Sequence, residues 1–170
     1  MLVPDYASPI IGWRAWHVVE EDGGLLLSSV VYPLLWRPGT ETRAECRPFP
    51  DAGQLHPAEH AAPQRDCFCG VYAATTAEHA EPYLDGYGHL IGRSPVVLGR
   101  VALWGTVVEC ADGWRGSHAY PHDLFVPTRG ASRTPDELAL ELARYGVPVE
   151  ILDCQPRRGV VSRALGELAA

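Results

Sequence analysis

Apolar and polar positions near the start of the chain follow a pattern that predicts β-structure. Two β-rich runs, 12–19 and 25–31, are separated by an acidic Gly-Gly segment, which is typical of a β-hairpin. The run over 96–109 is the strongest strand signal, and its glycines indicate the bend that a coiled sheet or small barrel requires. An Asp-Gly turn follows, and we expect residues 114–120 to return as the partner strand.

Helical patterning is clearest after Thr134. Thr134 is the expected cap, Pro135 the first helical position, and Glu137 completes a capping box. Apolar residues then recur at i, i+4 and i+7, and Gly146 marks the end of the helix. One apolar stripe of this kind predicts a helix that packs against the sheet.

Shorter segments complete the predicted architecture. Residues 67–73 and 147–152 have the composition of short strands, and residues 76–84 and 160–168 of short helices. We therefore predict an α+β fold. It combines a twisted antiparallel sheet or small open β-barrel with one or two short helices and a long proline-rich loop.

The loop over residues 37–65 contains five prolines and few apolar positions. A segment this long with no secondary structure is uncommon in a compact domain unless something organises it. We therefore interpret residues 1–170 as a single domain in which residues 37–70 form a metal-organised loop and strand entry.

Cysteine and histidine residues concentrate in this loop. Zinc prefers tetrahedral coordination by thiolate and imidazole, and sites with three Cys and one His are common. Cys67 and Cys69 stand two residues apart, so on an extended strand their thiols point to the same face. The predicted ligands of a structural zinc ion are Cys46, His60, Cys67 and Cys69. His56 is the alternative to His60.

Other uses of the same residues stay open at this point. Three ligands and a water molecule would make the ion catalytic, and a thiol beside a histidine would be a nucleophile. An iron–sulfur cluster would recruit Cys110 or Cys154, which we otherwise expect in the core. The cysteines near the strand end would have no ligand role at all if they were only small buried residues.

Composition and charge narrow the classes of function. A formal charge of −7 argues against broad electrostatic binding to nucleic acid. The N-terminus has neither the basic nor the apolar part of a signal peptide, and no apolar run has the length of a membrane span. We expect a soluble cytoplasmic protein, in which five cysteines favour metal ligands or free thiols over disulfides.

Tryptophan beside arginine is the second candidate feature. Such pairs form stacking or cation–π surfaces for a ligand, although large aromatic residues also fill the core of a small barrel. The candidate ligand-binding residues are Trp13, Arg14, Trp16, Trp104, Trp114 and Arg115. A small molecule or a protein would be the partner of this face.

Four segments together resemble a family of small bacterial proteins of uncharacterised activity. They are Gly12-Trp13-Arg14-Ala15-Trp16, Cys67-Phe68-Cys69-Gly70-Val71-Tyr72-Ala73, Leu103-Trp104-Gly105 and Ala119-Tyr120-Pro121. The resemblance covers most of the chain and implies that the cysteine loop and the tryptophan strands belong together. It brings no activity or substrate. We therefore favour a non-catalytic, zinc-stapled binding or adaptor domain; the alternatives are a metal- or cysteine-dependent enzyme and a single-stranded nucleic-acid-binding barrel.

Overall fold

The computed structural model describes residues 8–47, 60–85, 94–127, 133–154 and 159–168. The strands of these segments are β1 (Ile10–Glu21), β2 (Gly24–Ser29), β3 (Leu35–Trp36), β4 (Thr42–Arg43), β5 (Val71–Ala74), β6 (Val96–Cys110), β7 (Gly113–Pro127) and β8 (Val149–Leu152). The α-helices are α1 (Ala77–Ala80), α2 (Pro135–Leu142) and α3 (Val161–Leu168). No helix is long and apolar enough to cross a membrane within these segments.

The strands join into one mixed sheet built around the long β6–β7 hairpin. β1 pairs antiparallel with β2, β5 and β6, and β7 pairs antiparallel with β4, β5 and β6. The strands β1, β6, β7 and β5 therefore close a ring of hydrogen bonds. The ring is not a regular barrel, because β5 meets β1 at the single pair Trp13 and Ala74. The predicted α+β class is confirmed, and the parallel pairing of β8 with β7 makes the sheet mixed.

Consecutive residues of one strand belong to two different apolar clusters. Trp16 and Leu124 lie in a cluster that α2 covers, whereas Ala15 and Phe125 lie in a second cluster beside α3. This alternation follows from the two-residue period of a strand, which sends successive side chains to opposite faces. Cys154 is buried in the second cluster, as expected for a core cysteine.

Most of the predicted elements are present. The hairpin forms with its turn at Asp22 and Gly23, and the capping box at Thr134 and Glu137 is complete. Gly146 ends that helical region in the left-handed conformation. For residues 67–73 the expectation was a short strand or a strand entry, and the structure has an entry loop that carries the cysteines, with β5 beginning at Val71.

The proline-rich segment is less irregular than predicted where the structure describes it. β4 lies within it and pairs with β7 at Ala119 and His118. Just beyond, the N–H of Ala44 donates to the carbonyl of Ser117 at 2.8 Å, so the chain stays on the sheet as far as Ala44, two residues before the first cysteine. Residues 48–59, which include His56, lie outside the described residues.

Candidate metal centre

Three separate pieces of chain bring the candidate ligands together. Cys46 follows β4, which β7 holds in the sheet. Cys67 and Cys69 lie in the loop before β5, and His60 opens the segment that leads into that loop. We call residues 60–70 the metal loop, and Cys46, His60, Cys67 and Cys69 the Cys/His cluster.

The donor atoms of the Cys/His cluster converge on one point. All four lie within 4.8 Å of one another. The Sγ atoms of Cys46 and Cys67 are 3.7 Å apart, and Nε2 of His60 lies 3.3 Å from Sγ of Cys69. Tetrahedral zinc with ordinary bond lengths separates two sulfurs by about 3.8 Å and a sulfur from a nitrogen by about 3.6 Å. Two of the donor pairs thus lie near these separations, and the four residues have the donor chemistry of a Cys₃His site and lie close enough together to bind a metal ion.

Proton affinities within the cluster are uneven. Burial raises the pKa of the Cys67 thiol, but hydrogen bonds from Cys69 and the rest of the cluster outweigh burial and lower the pKa to about 7. For Cys46, burial and the hydrogen bond with Cys67 act together and raise the pKa to about 12. Thiolates are the form that binds metal, so an entering ion has to displace the proton of Cys46.

The side chain of Arg115 forms hydrogen bonds with the backbone of the metal loop. Its Nη1 donates to the carbonyl oxygens of Cys67 and Cys69, the latter at 2.9 Å. The same nitrogen and Nη2 lie 3.5 Å from the carbonyls of Gln64 and Arg65. One side chain of β7 thus gathers the backbone of a loop that has no strand or helix of its own.

Gly70 is the point at which the metal loop turns into β5. Its φ of +124° lies in the region that favours glycine, and a Cβ there would stand 2.9 Å from Cβ of Arg115. Any other residue would therefore meet both a strained backbone and a side-chain clash. Two residues further on, Tyr72 donates from its hydroxyl to the carbonyl of Phe68 at 2.7 Å, which fixes the tip of the loop.

The role of Arg115 was missed by the sequence analysis, which grouped it with the tryptophans. The pairing of Tyr72 with Arg115 sets this arginine under the metal loop, and that pairing follows from strand register. The signal in the sequence was the long side chain of Arg115 beside Gly116, in a predicted strand. This signal cannot be interpreted until the strand that pairs with β7 is known.

The predicted aromatic and arginine-bearing residues are distributed over several places. Trp13 stacks on Phe125 with ring centroids 5.9 Å apart, in the second cluster, whereas Trp16 is fully buried in the first. Arg14 bridges β5 and β2, donating to the carbonyl of Tyr72 and to Oγ of Ser29. Arg14 and Arg115 both contact Tyr72, whereas Trp13 and Trp16 belong to different apolar clusters.

The remaining two tryptophans lie apart from one another. Trp104 stacks on His118 with a centroid separation of 6.0 Å. Trp114 is partly buried and packs against the first cluster. A common ligand for all the predicted residues stays a prediction.

Comparison with known family models, curated proteins and solved structures found no match to this chain. The resemblance to a bacterial family therefore stays a prediction, and function is argued from the site alone.

Proposed function

We propose that the chain is a non-catalytic binding or adaptor domain in which a zinc ion staples the metal loop to the sheet. The observation that carries the proposal is the convergence of three thiols and one imidazole within 4.8 Å. Four protein donors complete the tetrahedral shell of zinc and leave no position for a water molecule or substrate. A closed site of this kind contributes to folding rather than to chemistry.

The donor set supports zinc as the ion of this proposal. Soft thiolate ligands with one imidazole favour zinc over the oxygen-seeking magnesium and calcium. Of the cysteines outside the cluster, Cys154 is buried in the second apolar cluster and Cys110 lies against Nε of Arg115, and neither belongs to the group of donors within 4.8 Å of one another. The donor atoms of three Cys and one His lie close enough together to share one ion, which favours a single zinc ion over a cluster of several metal atoms.

If the ion is structural, we expect the domain to act by binding a partner. The metal loop presents Phe68, which is 81% exposed between two of the proposed ligands. Tyr72 is also exposed and anchors the backbone of Phe68 through its hydroxyl. An aromatic side chain in water on a rigid support is the kind of anchor that protein interfaces use.

Elemental analysis of protein purified without added metal tests the proposal. We expect about one zinc per chain, and nearly none in Cys67→Ser, because that substitution removes a ligand. Cys154→Ala is the matched control, since it removes a cysteine outside the cluster and should keep the zinc. A wild-type protein without metal, whose Cys67 reacts readily with a thiol reagent, would overturn the proposal and favour a cysteine nucleophile.

A further inference from the structure

Arg115 is a buried cation for which the described part of the chain supplies no carboxylate partner. Only 6% of Arg115 is exposed, and its guanidinium contacts four neutral backbone carbonyls and the uncharged side chain of Tyr72. Within the described residues no Asp or Glu forms an ion pair with it. A buried charge is costly unless an opposite charge compensates it.

The Cys/His cluster has the opposite charge when it holds a divalent ion. Three thiolates and a neutral imidazole carry three negative charges, so a bound divalent ion leaves a net charge of about −1. The guanidinium donates to the carbonyls of Cys67 and Cys69 and therefore lies within one peptide unit of two ligands. We infer that Arg115 is the counter-charge of the metal centre and tunes it for a divalent ion. This inference rests on the proposed metal site.

Charge matching makes Arg115 a specificity-determining residue of the site. One positive charge neutralises the assembly only when the ion itself carries two, whereas a monovalent ion would leave an unbalanced negative charge in a partly buried place. The hydrogen bonds have a second effect, because they draw electron density from the carbonyl groups next to the ligands and hold the loop at the spacing that the ion needs.

Cys110 is an alternative counter-charge for the guanidinium of Arg115. Nε of Arg115 lies 3.3 Å from Sγ of Cys110, so a thiolate there would also balance the guanidinium. The two explanations differ in what they predict for Cys110→Ser. If the metal centre is the counter-charge, this variant keeps its zinc affinity within about threefold of the wild type.

Zinc affinity, measured by competition with a chromophoric chelator, is the first test. We expect Arg115→Met to weaken zinc binding by about 10- to 100-fold, the range typical of outer-shell substitutions. Arg115→Lys keeps the positive charge but loses the planar, two-pronged geometry of the guanidinium. The logarithm of its zinc affinity should lie at least halfway from the value for Arg115→Met to the value for the wild type. Equal affinities of Arg115→Met and the wild type, or a weakened Cys110→Ser, would overturn the inference.

The reduction potential of the iron-loaded protein separates charge from shape. A nearby positive charge stabilises the more negative ferrous form, so Arg115→Met should shift the potential to more negative values while Arg115→Lys stays near the wild type. If Arg115→Met and Arg115→Lys had the same reduction potential, the charge of Arg115 would have no effect on the metal centre. Arg115 would then have a purely structural role, and the inference would be overturned.

Protein stability does not decide the outcome. If Arg115→Met does not fold, Arg115→Gln is the second neutral variant. If both fail, a loss of zinc affinity beyond about 100-fold in Arg115→Lys overturns the inference, and a smaller loss supports it. A wild-type protein that binds no metal would instead refute the proposed function itself.

Discussion

Two regions of the molecule hold segments of the chain to the same sheet by different means. At one, the metal loop depends on donor atoms that converge on an ion. At the other, the hydroxyl of Tyr145 accepts from the N–H of Leu27 at 2.8 Å and donates to the carbonyl of Trp36 at 2.6 Å. The hydroxyl of Tyr120 extends this second region, since it accepts from the N–H of Gly39 and donates to the carbonyl of Tyr145. We call Tyr120 and Tyr145 the tyrosine pair.

The difference lies in what closes each region. Every polar group of the tyrosine pair finds its partner within the chain, so that region is complete as soon as the protein folds. The Cys/His cluster brings thiols together that repel one another once they ionise, and only a cation relieves that repulsion. The stability of the metal loop should therefore depend on metal concentration, and the stability of the tyrosine pair should not.

Removal of the metal has the largest expected effect and separates the two regions. A ligand at about 1,000 times its Kd stabilises the folded state by about 4 kcal/mol, so a strong chelator should lower Tm by about 10 °C. Hydrogen exchange should accelerate at the N–H of Cys67, which donates to the carbonyl of Gln64. The N–H groups of Leu27 and Gly39 should keep their protection.

Two results would break the comparison. Equal loss of protection at the metal loop and at the tyrosine pair would mean that the ion is required by the whole fold. Unchanged exchange at Cys67 after chelation would mean that Arg115 and the backbone hold the loop alone. Readdition of zinc, with magnesium as the control ion, should restore the original exchange only in the zinc sample.

Tyr145→Phe tests the second region. The substitution removes a hydroxyl and leaves the N–H of Leu27 and the carbonyl of Trp36 buried without that partner. We expect a loss of about 2 kcal/mol in the free energy of unfolding, which lowers Tm by about 4–8 °C. Zinc content should stay at the wild-type level, and a reduced zinc content would show that the regions are coupled.

Alkaline pH provides an independent readout of the same hydroxyl. Burial raises the pKa of Tyr145 to about 12, against about 10 for an exposed tyrosine. Because the folded-state pKa is the higher one, its contribution to stability is complete below pH 10 and is lost as the pH rises toward 12. The stability difference between the wild type and Tyr145→Phe should therefore shrink over that interval of pH.

Much of this organisation follows from local sequence patterns. The capping box at Thr134 and the acidic turn before β2 determine their elements within a few residues of chain, so the sequence predicts them well. The Cys/His cluster was predicted from residue chemistry and proximity in sequence, and the structure brings those four residues together. In each case the controlling interaction is local or belongs to a distinctive donor set.

Long-range register accounts for what the sequence analysis missed. Arg115 supports the metal loop because β7 pairs with β5, and Tyr145 reaches Leu27 because α2 packs across β2. Neither contact has a local signature, since both partners are ordinary residues far apart in the chain. Cys67 lies in the entry to the strand rather than on the strand for a related reason. The carbonyls of this segment bond to Arg115 instead of to a neighbouring strand.

Glu81 offers the smallest but cleanest extension of the comparison, because it holds a third segment with groups of the chain alone. Its carboxylate is 1% exposed as a residue and accepts from the N–H groups of Gly159 at 2.7 Å and Ser162 at 2.6 Å. These bonds cap the N-terminus of α3, where a negative charge is also favoured by the helix dipole. We expect Glu81→Gln to cost about 1 kcal/mol, measured by urea unfolding.

Glu78→Gln is the matched control for that measurement, because Glu78 lies nearby on α1 but is exposed and should change stability by only a few tenths of a kcal/mol. Hydrogen exchange in Glu81→Gln should accelerate at the start of α3 while the metal loop keeps its protection. Zinc affinity should also be unchanged, since no bond of Glu81 reaches the Cys/His cluster. A loss of zinc from Glu81→Gln would contradict the division between segments that the chain holds by itself and the one segment that needs an ion.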